Sequence, residues 1–87
     1  MEEKKLEVKV FSPYQTFFRG SALSLSAVNK TGPFDVLYNH SNFFSLLTAG
    51  RVSVNTGFEK VEIDIESGFV KVTNNNIVLF ANISLNI

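Results

Sequence analysis

The only histidine, His40, is the first side chain of this sequence that could take part in chemistry. An imidazole titrates near neutral pH, so it can act as an acid, a base or a metal ligand. Catalysis would also need an activated nucleophile, and a metal site would need further ligands; the sequence signals neither. Because the chain has no cysteine, only carboxylates could complete a site. We therefore interpret His40 as a polar anchor beside aromatic residues, with a structural or interface role.

The acidic residues Glu62, Asp64 and Glu66 recur at every second position, which would place three carboxylates roughly 7 Å apart along one strand face. Such a row could bind a hard cation, and a pair of acids could catalyse hydrolysis. The residues between them are apolar, and a strand with one buried and one hydrated face explains the pattern fully. We expect a solvated face, and hydrolysis by Glu62 and Asp64 is the less favoured alternative.

Recurring catalytic and nucleotide-binding motifs are missing from the sequence. It has no glycine-rich phosphate loop, no Gly-x-Ser-x-Gly elbow and no cluster of cysteine or histidine. We therefore expect no catalytic residue, no metal site, no cofactor and no enzymatic activity. The remaining signal is a set of aromatic residues, Phe34, Tyr38, Phe43 and Phe44. We expect most of them in the core and one or two at a partner contact.

Composition limits the class of protein. Eighty-seven residues, 45% of them hydrophobic and nine of them Phe, fit one domain over residues 1–87 with phenylalanines filling its core. Eight basic residues balance eight acidic ones without a basic cluster, which argues against nucleic acid as a partner. The absence of cysteine fits a reducing, cytoplasmic compartment, and no secretory signal or apolar span is visible.

The hydrophobic pattern has the period of two that is typical of strands. Residues 6–10 alternate, residues 23–27 alternate, and turn formers are dense at residues 29–33, where we expect a loop. Residues 34–37 and 43–47 are predicted strands, residues 51–65 a hairpin, and the asparagines at 74–76 the turn of a second hairpin. The predicted fold is all-β, a two-layer antiparallel β-sandwich of about eight to ten short strands.

Several short motifs follow one another in a fixed order between residue 6 and about residue 83. They are Phe17-Phe18-Arg19-Gly20, Gly32-Pro33-Phe34-Asp35-Val36-Leu37, His40 followed by Phe43-Phe44, Gly50-Arg51-Val52, Ser67-Gly68-Phe69-Val70-Lys71-Val72 and Val78-Leu79-Phe80-Ala81. Their order and spacing resemble the N-terminal β-sandwich domain of the epsilon subunit of the F-type ATP synthase. Residues 38–42 depart from that family's Pro-Gly-His-x-Pro pattern, because both prolines and one glycine are absent. Fewer fixed φ angles would loosen or reshape this loop.

The resemblance implies a non-catalytic rotor subunit of the central stalk. Such a subunit joins the gamma shaft to the membrane c-ring, so that ring rotation driven by protons or sodium ions turns the shaft for ATP synthesis. It also implies a chain that is monomeric by itself and peripheral to the cytoplasmic face of the bacterial inner membrane, held there through the c-ring and not inserted. The implied contacts are Asn29, Lys30, Thr31, Gly32 and Pro33 toward the c-ring, and His40, Phe43 and Ser45 toward gamma.

Two departures from the family leave a second function open. The 87 residues end after the sandwich, without the helical hairpin that regulates hydrolysis or binds ATP in some members, so neither role is carried over. Together with the missing prolines, this leaves the alternative of a stand-alone β-sandwich that serves as a binding or adaptor module derived from that domain. Gene neighbourhood among ATP synthase subunits would favour the rotor subunit over this alternative.

Overall fold

A computed structural model describes residues 4–83 of the chain. This range holds nine strands: β1 (Leu6–Phe11), β2 (Thr16–Ala22), β3 (Ser24–Asn29), β4 (Gly32–Leu37), β5 (Phe43–Leu47), β6 (Gly50–Asn55), β7 (Lys60–Ile65), β8 (Ser67–Thr73) and β9 (Asn76–Asn82). Among these residues there is no helix of the length and apolar character needed to cross a membrane.

The strands form two sheets. Sheet A has the order β2-β1-β9-β8-β5, and sheet B has the order β4-β3-β6-β7. This arrangement confirms the predicted all-β sandwich and its number of strands. One pairing of the described residues departs from the predicted antiparallel pattern, because β1 and β9 run parallel. Hydrophobic alternation specifies which face of a strand is buried but not the direction of its neighbour, so this pair could not be predicted from the alternation.

Aliphatic side chains from both sheets fill the space between them. Among the buried residues, Leu6, Leu25, Val36, Val54 and Leu79 are 0% exposed, and no polar side chain of the described residues is buried. The expectation that phenylalanines fill the core is wrong, since none of them belongs to the buried core and several only pack against its margin. Two sheets packed about 10 Å apart are filled by Val, Leu, Ile and Ala, which leaves the larger rings at the edges and outside.

The loop predicted at residues 29–33 is shorter in the structure. Asn29 is the last residue of β3, while Gly32 and Pro33 already belong to β4, so only Lys30 and Thr31 form the turn. The Asn29 side chain closes it, because its Oδ1 accepts hydrogen bonds from the backbone N–H and the hydroxyl of Thr31, at 2.9 and 2.7 Å. A proline fits in β4 because this strand is the edge of sheet B, where a missing N–H costs no pairing. The strand predicted at residues 23–27 begins one residue later, at Ser24.

The two hairpins predicted from turn residues are confirmed. Asn74 and Asn75 have φ of 48° and 64° and connect β8 to β9 as a two-residue turn. Two successive positive φ values are what a type I′ turn requires, and asparagine tolerates them well. Between β6 and β7, the Thr56 hydroxyl accepts hydrogen bonds from the N–H groups of Phe58 and Glu59, which fixes the other turn.

Candidate docking surfaces

The two regions implied as contacts lie mostly at opposite ends of the sandwich. β4 begins next to the Lys30-Thr31 turn and ends next to the loop that carries His40. Six strand residues at about 3.3 Å each separate the two ends by roughly 20 Å. Ser45 is the exception, because its hydroxyl accepts a hydrogen bond of 3.1 Å from the Asn29 amide. One residue of the implied gamma group therefore contacts one residue of the implied c-ring group across the space between the two sheets.

His40 is half-buried in the connection between β4 and β5. Its backbone N–H donates to the Leu37 carbonyl at 3.0 Å, and its ring Nδ1 lies 2.8 Å from the Ser41 carbonyl, which can only accept, so Nδ1 carries a proton. The ring centroid is 4.9 Å from that of Phe43, which in turn meets the edge of Phe34. The structure thus places His40 beside aromatic rings, as the sequence predicted.

Asparagines hold the His40 loop in the absence of the family's prolines. The Asn39 N–H donates to Oδ1 of Asn75 at 2.6 Å, and the Asn74 N–H donates to Oδ1 of Asn42 at 2.9 Å. Both bonds join the loop to the β8–β9 turn, in the neighbouring part of sheet A. These two side-chain bonds attach the loop to the β8–β9 turn at Asn39 and Asn42. The asparagines at 39 and 42 and at 74 and 75 were the sequence feature from which this link between the two segments could have been predicted.

Two members of the predicted acidic row, Glu62 and Asp64, lie on the outer face of sheet B, whereas Glu66 follows the end of β7 and donates its backbone N–H to the Asn82 carbonyl at 2.8 Å. Asp64 receives two hydrogen bonds from the Arg51 guanidinium, at 2.9 and 3.4 Å, and Glu62 lies 3.9 Å from the same group. The Arg51 hydrogen bond and, next, its charge lower the pKa of Asp64 below the ordinary aspartate value. No group of three or more His, Cys, Asp or Glu side chains suited to a metal ion occurs within residues 4–83. Pairing with Arg51 on a hydrated face explains Glu62 and Asp64 without a catalytic role.

Replacing Arg51 with glutamine should raise the pKa of Asp64 toward its ordinary value, which an NMR titration of the carboxyl group will measure. Because the pKa of Asp64 is lower in the folded state than in the unfolded state, ionised Asp64 stabilises the fold at pH values above the unfolded-state pKa of about 3.9. That contribution is lost as the pH falls through the folded-state pKa, and it is small because the pair is exposed. Lys60→Gln on the same face is the control and should leave the titration unchanged. An unchanged Asp64 titration in Arg51→Gln would contradict the pairing.

A broader surface, which was not predicted from the sequence, covers the outer face of sheet A. The implied gamma contacts Phe43 and Ser45 point toward the sandwich interior, so their neighbours Phe44 and Leu46 are the ones that face outward, 59% and 71% exposed. Phe44 stacks on Phe69 at 5.7 Å, and Phe69 stacks on Phe80 at 5.5 Å. Phe80 meets Phe11 edge-on at 5.4 Å. We call these four residues, Phe44, Phe69, Phe80 and Phe11, the phenylalanine ladder.

The signal for this surface was present in the strand sequences. In β5 the outer face carries only the apolar residues Phe44 and Leu46, and the inner face carries Phe43, Ser45 and Leu47. A strand with one hydrated face would carry polar residues on its outer side. An exposed apolar face of this kind is unusual for a strand and marks a candidate contact surface. Alternation alone could not say which of Phe43 and Phe44 faces the core, because the pairing of β5 with β8 decides it.

The cavities of the described residues are small or open. One, of about 150 Å³, lies at the β1–β2 turn and is lined by residues that include Pro13, Tyr14 and Phe17. Pockets for small molecules and cofactors usually measure about 300–1,000 Å³.

A family model described as "ATP synthase, Delta/Epsilon chain, beta-sandwich domain" matches residues 5–86. The chain belongs to this family. An ATP synthase epsilon chain of Helicobacter pylori is 35% identical to it over 77 residues, which cover 88% of this chain and 63% of that relative. The chain thus spans less than two thirds of the length of this relative.

Two solved assemblies contain the same fold as this member of the epsilon family. The Euglena gracilis mitochondrial ATP synthase structure, OSCP/F1/c-ring in rotational state 1, holds a chain that matches with a TM-score of 0.83 at 16% identity, covering 91% of this chain and 51% of that one. The Tetrahymena thermophila mitochondrial ATP synthase structure, central stalk/cring, holds one with a TM-score of 0.79 at 14% identity, covering 94% and 66%. These matches confirm the sandwich fold suggested by the resemblance.

Proposed function

We propose that this chain is a non-catalytic rotor subunit of the central stalk of an F-type ATP synthase. In this role it joins the gamma shaft to the membrane c-ring, so that ion-driven rotation of the ring turns the shaft during ATP synthesis. The observation that carries the proposal is the family match over residues 5–86, almost the whole chain. The Tetrahymena match adds support, because that structure is described as a central stalk with its c-ring.

The geometry suits a mechanical coupler. The two implied contact regions lie, apart from Ser45, at opposite ends of one sandwich, so torque can pass between them along paired strands. The Lys30-Thr31 turn is closed by Asn29, and the His40 loop is tied to the β8–β9 turn, so both ends are fixed to the sheets. A domain that unfolded locally under load would transmit less torque. Local unfolding starts in the segments that make the fewest buried contacts and hydrogen bonds. Side-chain bonds at both ends oppose this loss.

The proposed position is the cytoplasmic face of the bacterial inner membrane, with the chain bound there through the c-ring. We assign the ring contact to Asn29, Lys30, Thr31, Gly32 and Pro33, and the gamma contact to the region of His40, Phe43 and Ser45. Both assignments come from the resemblance. The structure adds that Lys30, Thr31 and Pro33 are exposed, while His40, Phe43 and Ser45 are half-buried.

Co-purification with the gamma subunit of the same organism tests the proposal. The tagged full chain should retain gamma, and c-ring should follow when the chain is isolated from native membranes. A well-folded chain that binds neither component would overturn the rotor function and favour the stand-alone adaptor module.

We expect His40→Ala to weaken gamma binding more than it lowers thermal stability. The side chain is half-buried, and its ring makes one hydrogen bond, with Ser41, and one packing contact, with Phe43, so its loss costs the fold little. At an interface, an anchor residue of this kind contributes more than about 1 kcal/mol, equivalent to a fivefold or larger rise in Kd. Titration calorimetry with gamma and a thermal melt measure the two effects. Lys60→Ala, on the outer face of sheet B, is the control; unchanged binding with a lowered melting point would reverse the assignment.

A further inference from the structure

The outer face of sheet A carries two neighbouring rows of side chains that run across the strands. The first row is apolar: Leu46 pairs with Phe69, Phe69 with Phe80, and Phe80 with Phe11. The second row contains three cations and two apolar residues. Each of its members pairs with the next across neighbouring strands: Phe44, Lys71, Val78, Lys9 and Arg19. A solvated strand face would carry polar side chains in both rows, so the apolar row is the feature to explain.

The apolar row does not belong to the core. The same strands fill the core with their opposite faces, where Val70, Val72 and Leu79 are at most 1% exposed. On the outer face, Leu46 of the apolar row is 71% exposed, while Phe11, Phe69 and Phe80 are half-buried and none of the four belongs to the buried core. Three rings of the ladder are stacked across β5, β8 and β9, and Phe11 of β1 meets the last of them edge-on, so the four form one continuous apolar surface.

The cationic row lacks acidic partners among residues 4–83. No carboxylate of these residues lies within 4 Å of the charged groups of Lys9, Arg19 or Lys71, whereas Arg51 on sheet B has two. The Lys9 ammonium instead lies 4.9 Å from the centroid of Phe11, at one end of the ladder. Among the described strands, one acidic residue lies on this face, Glu7, and it accepts a hydrogen bond from the Ser21 hydroxyl. Sheet A therefore presents a positive outer face.

The two outer faces differ in sign. Within the described strands, sheet A carries three cations and one acid outside, namely Lys9, Arg19, Lys71 and Glu7, whereas sheet B carries two cations and three acids, namely Arg51, Lys60, Asp35, Glu62 and Asp64. Beside the ladder, a shallow depression of about 430 Å³ is lined in part by Lys9, Arg19 and Val78. Glu7 also lines this depression, so its two cations leave a net charge of plus one there. Complementary charge fixes the register of an interface.

We infer that the outer face of sheet A docks a segment of a partner protein whose apolar stripe covers the phenylalanine ladder and whose acidic side chains lie over Lys71 and Lys9. These two lysines are on β8 and β1, which are separated by β9, so they stand about 10 Å apart at the usual strand spacing. In a helix, residues seven apart are also about 10 Å apart along the axis. A helix with acids at such spacing beside a leucine stripe fits both rows.

A second copy of the chain fits this face poorly. Two such faces packed together would bring Lys9, Arg19 and Lys71 against the same cations of the other copy, and like charges at an interface cost affinity. An anionic lipid surface also fits poorly. Each Lys or Arg near such a surface contributes about 1 kcal/mol, so a net of two charges gives only weak binding, and stable anchoring needs a second signal.

Binding of two synthetic helical peptides to the full chain tests the inference. Both carry the same leucine stripe; one has glutamates seven residues apart beside it, and the other has lysines there. We expect the glutamate peptide to bind at least about tenfold more tightly by fluorescence anisotropy at low salt. The preference should shrink at high salt, where exposed charges are screened. Leu46→Ser should weaken binding of both peptides.

Charge reversal on the protein gives the matched comparison. The double variant Lys9→Glu with Lys71→Glu should prefer the lysine peptide, whereas Lys60→Glu on sheet B should keep the original preference. Thermal melts will verify that these exposed substitutions leave the fold intact. Equal affinity for the two peptides, or an unchanged preference in the double variant, would overturn the inference.

Two further outcomes would also overturn it. A dimer in sedimentation analysis that Leu46→Ser abolishes would identify a second copy as the occupant. Tight binding to phosphatidylcholine vesicles containing phosphatidylglycerol, lost in the double variant, would identify a lipid surface. The peptides contain no ATP synthase component, so this inference can fail while the chain still binds gamma, and it can hold where gamma binding fails.

Discussion

Replacing Gly68 with alanine is expected to destabilise the sandwich by about 3 kcal/mol or more, a large share of the roughly 5–15 kcal/mol that holds a domain folded. A Cβ built on Gly68 would overlap the main-chain carbonyl oxygen of Phe80, and it would lie 3.2 Å from that carbonyl carbon and 3.3 Å from Cα of Ala81. These atoms belong to β9, in the middle of sheet A. A side chain could turn away from the new methyl group, but a paired backbone cannot move without separating β8 from β9.

Gly50→Ala is the matched control for this prediction. A Cβ there would come 3.0 Å from Cγ2 and 3.1 Å from Cβ of Val28. Both are side-chain atoms that need to shift by only a few tenths of an ångström, and no backbone atom is as close. We therefore expect a much smaller loss than at Gly68. Urea denaturation of the two variants measures the difference as a change in midpoint at constant slope. Equal midpoints would contradict the close approach of β8 and β9 at Gly68.

Local turn chemistry made much of this fold predictable from the sequence. The β8–β9 hairpin follows from Asn74 and Asn75, and the β6–β7 hairpin follows from Asn55-Thr56-Gly57, because these residues accept the turn geometry wherever they stand. The loop at residues 29–33 was predicted by the same reasoning and was too long. Its outer residues are paired strand residues, since a tight turn closed by Asn29 and an edge position for Pro33 let the strands extend into the turn formers.

The candidate surfaces could not be predicted from local sequence patterns, because the pairing of strands that are distant in sequence decides which residues form them. Whether Phe43 or Phe44 faces the core is decided by how β5 pairs with β8, a long-range contact. The ladder itself joins strands from both ends of the chain, because β1 pairs with β9. Single-strand periodicity cannot bring Phe11 next to Phe80. The cations of the second row are likewise distant in sequence and meet only through the order of sheet A.

We expect Leu79→Ala to cost about 3 kcal/mol of unfolding free energy and Leu46→Ala less than about 0.5 kcal/mol. Both leucines belong to sheet A, but Leu79 faces the other sheet and is 0% exposed, while Leu46 faces outward and is 71% exposed. Truncation of Leu79 leaves a cavity that a close-packed aliphatic core fills only in part. In a domain of this size, the expected drop in melting temperature is about 12–24 °C for Leu79→Ala and a few degrees at most for Leu46→Ala.

The contrast between the two leucines separates folding from docking on one sheet. If Leu46→Ala destabilised the isolated chain as much as Leu79→Ala, the outer row would be part of the core and would not be free to bind a partner. A small effect in the isolated chain, together with weaker peptide binding in Leu46→Ser, would mean that the outer row contributes mainly to association. A partner that covers the apolar row would explain why the row adds little to folding and is exposed in the isolated chain. Burial of the row would then stabilise the complex by about 25 cal/mol per Å² of apolar surface, before the costs of association are subtracted.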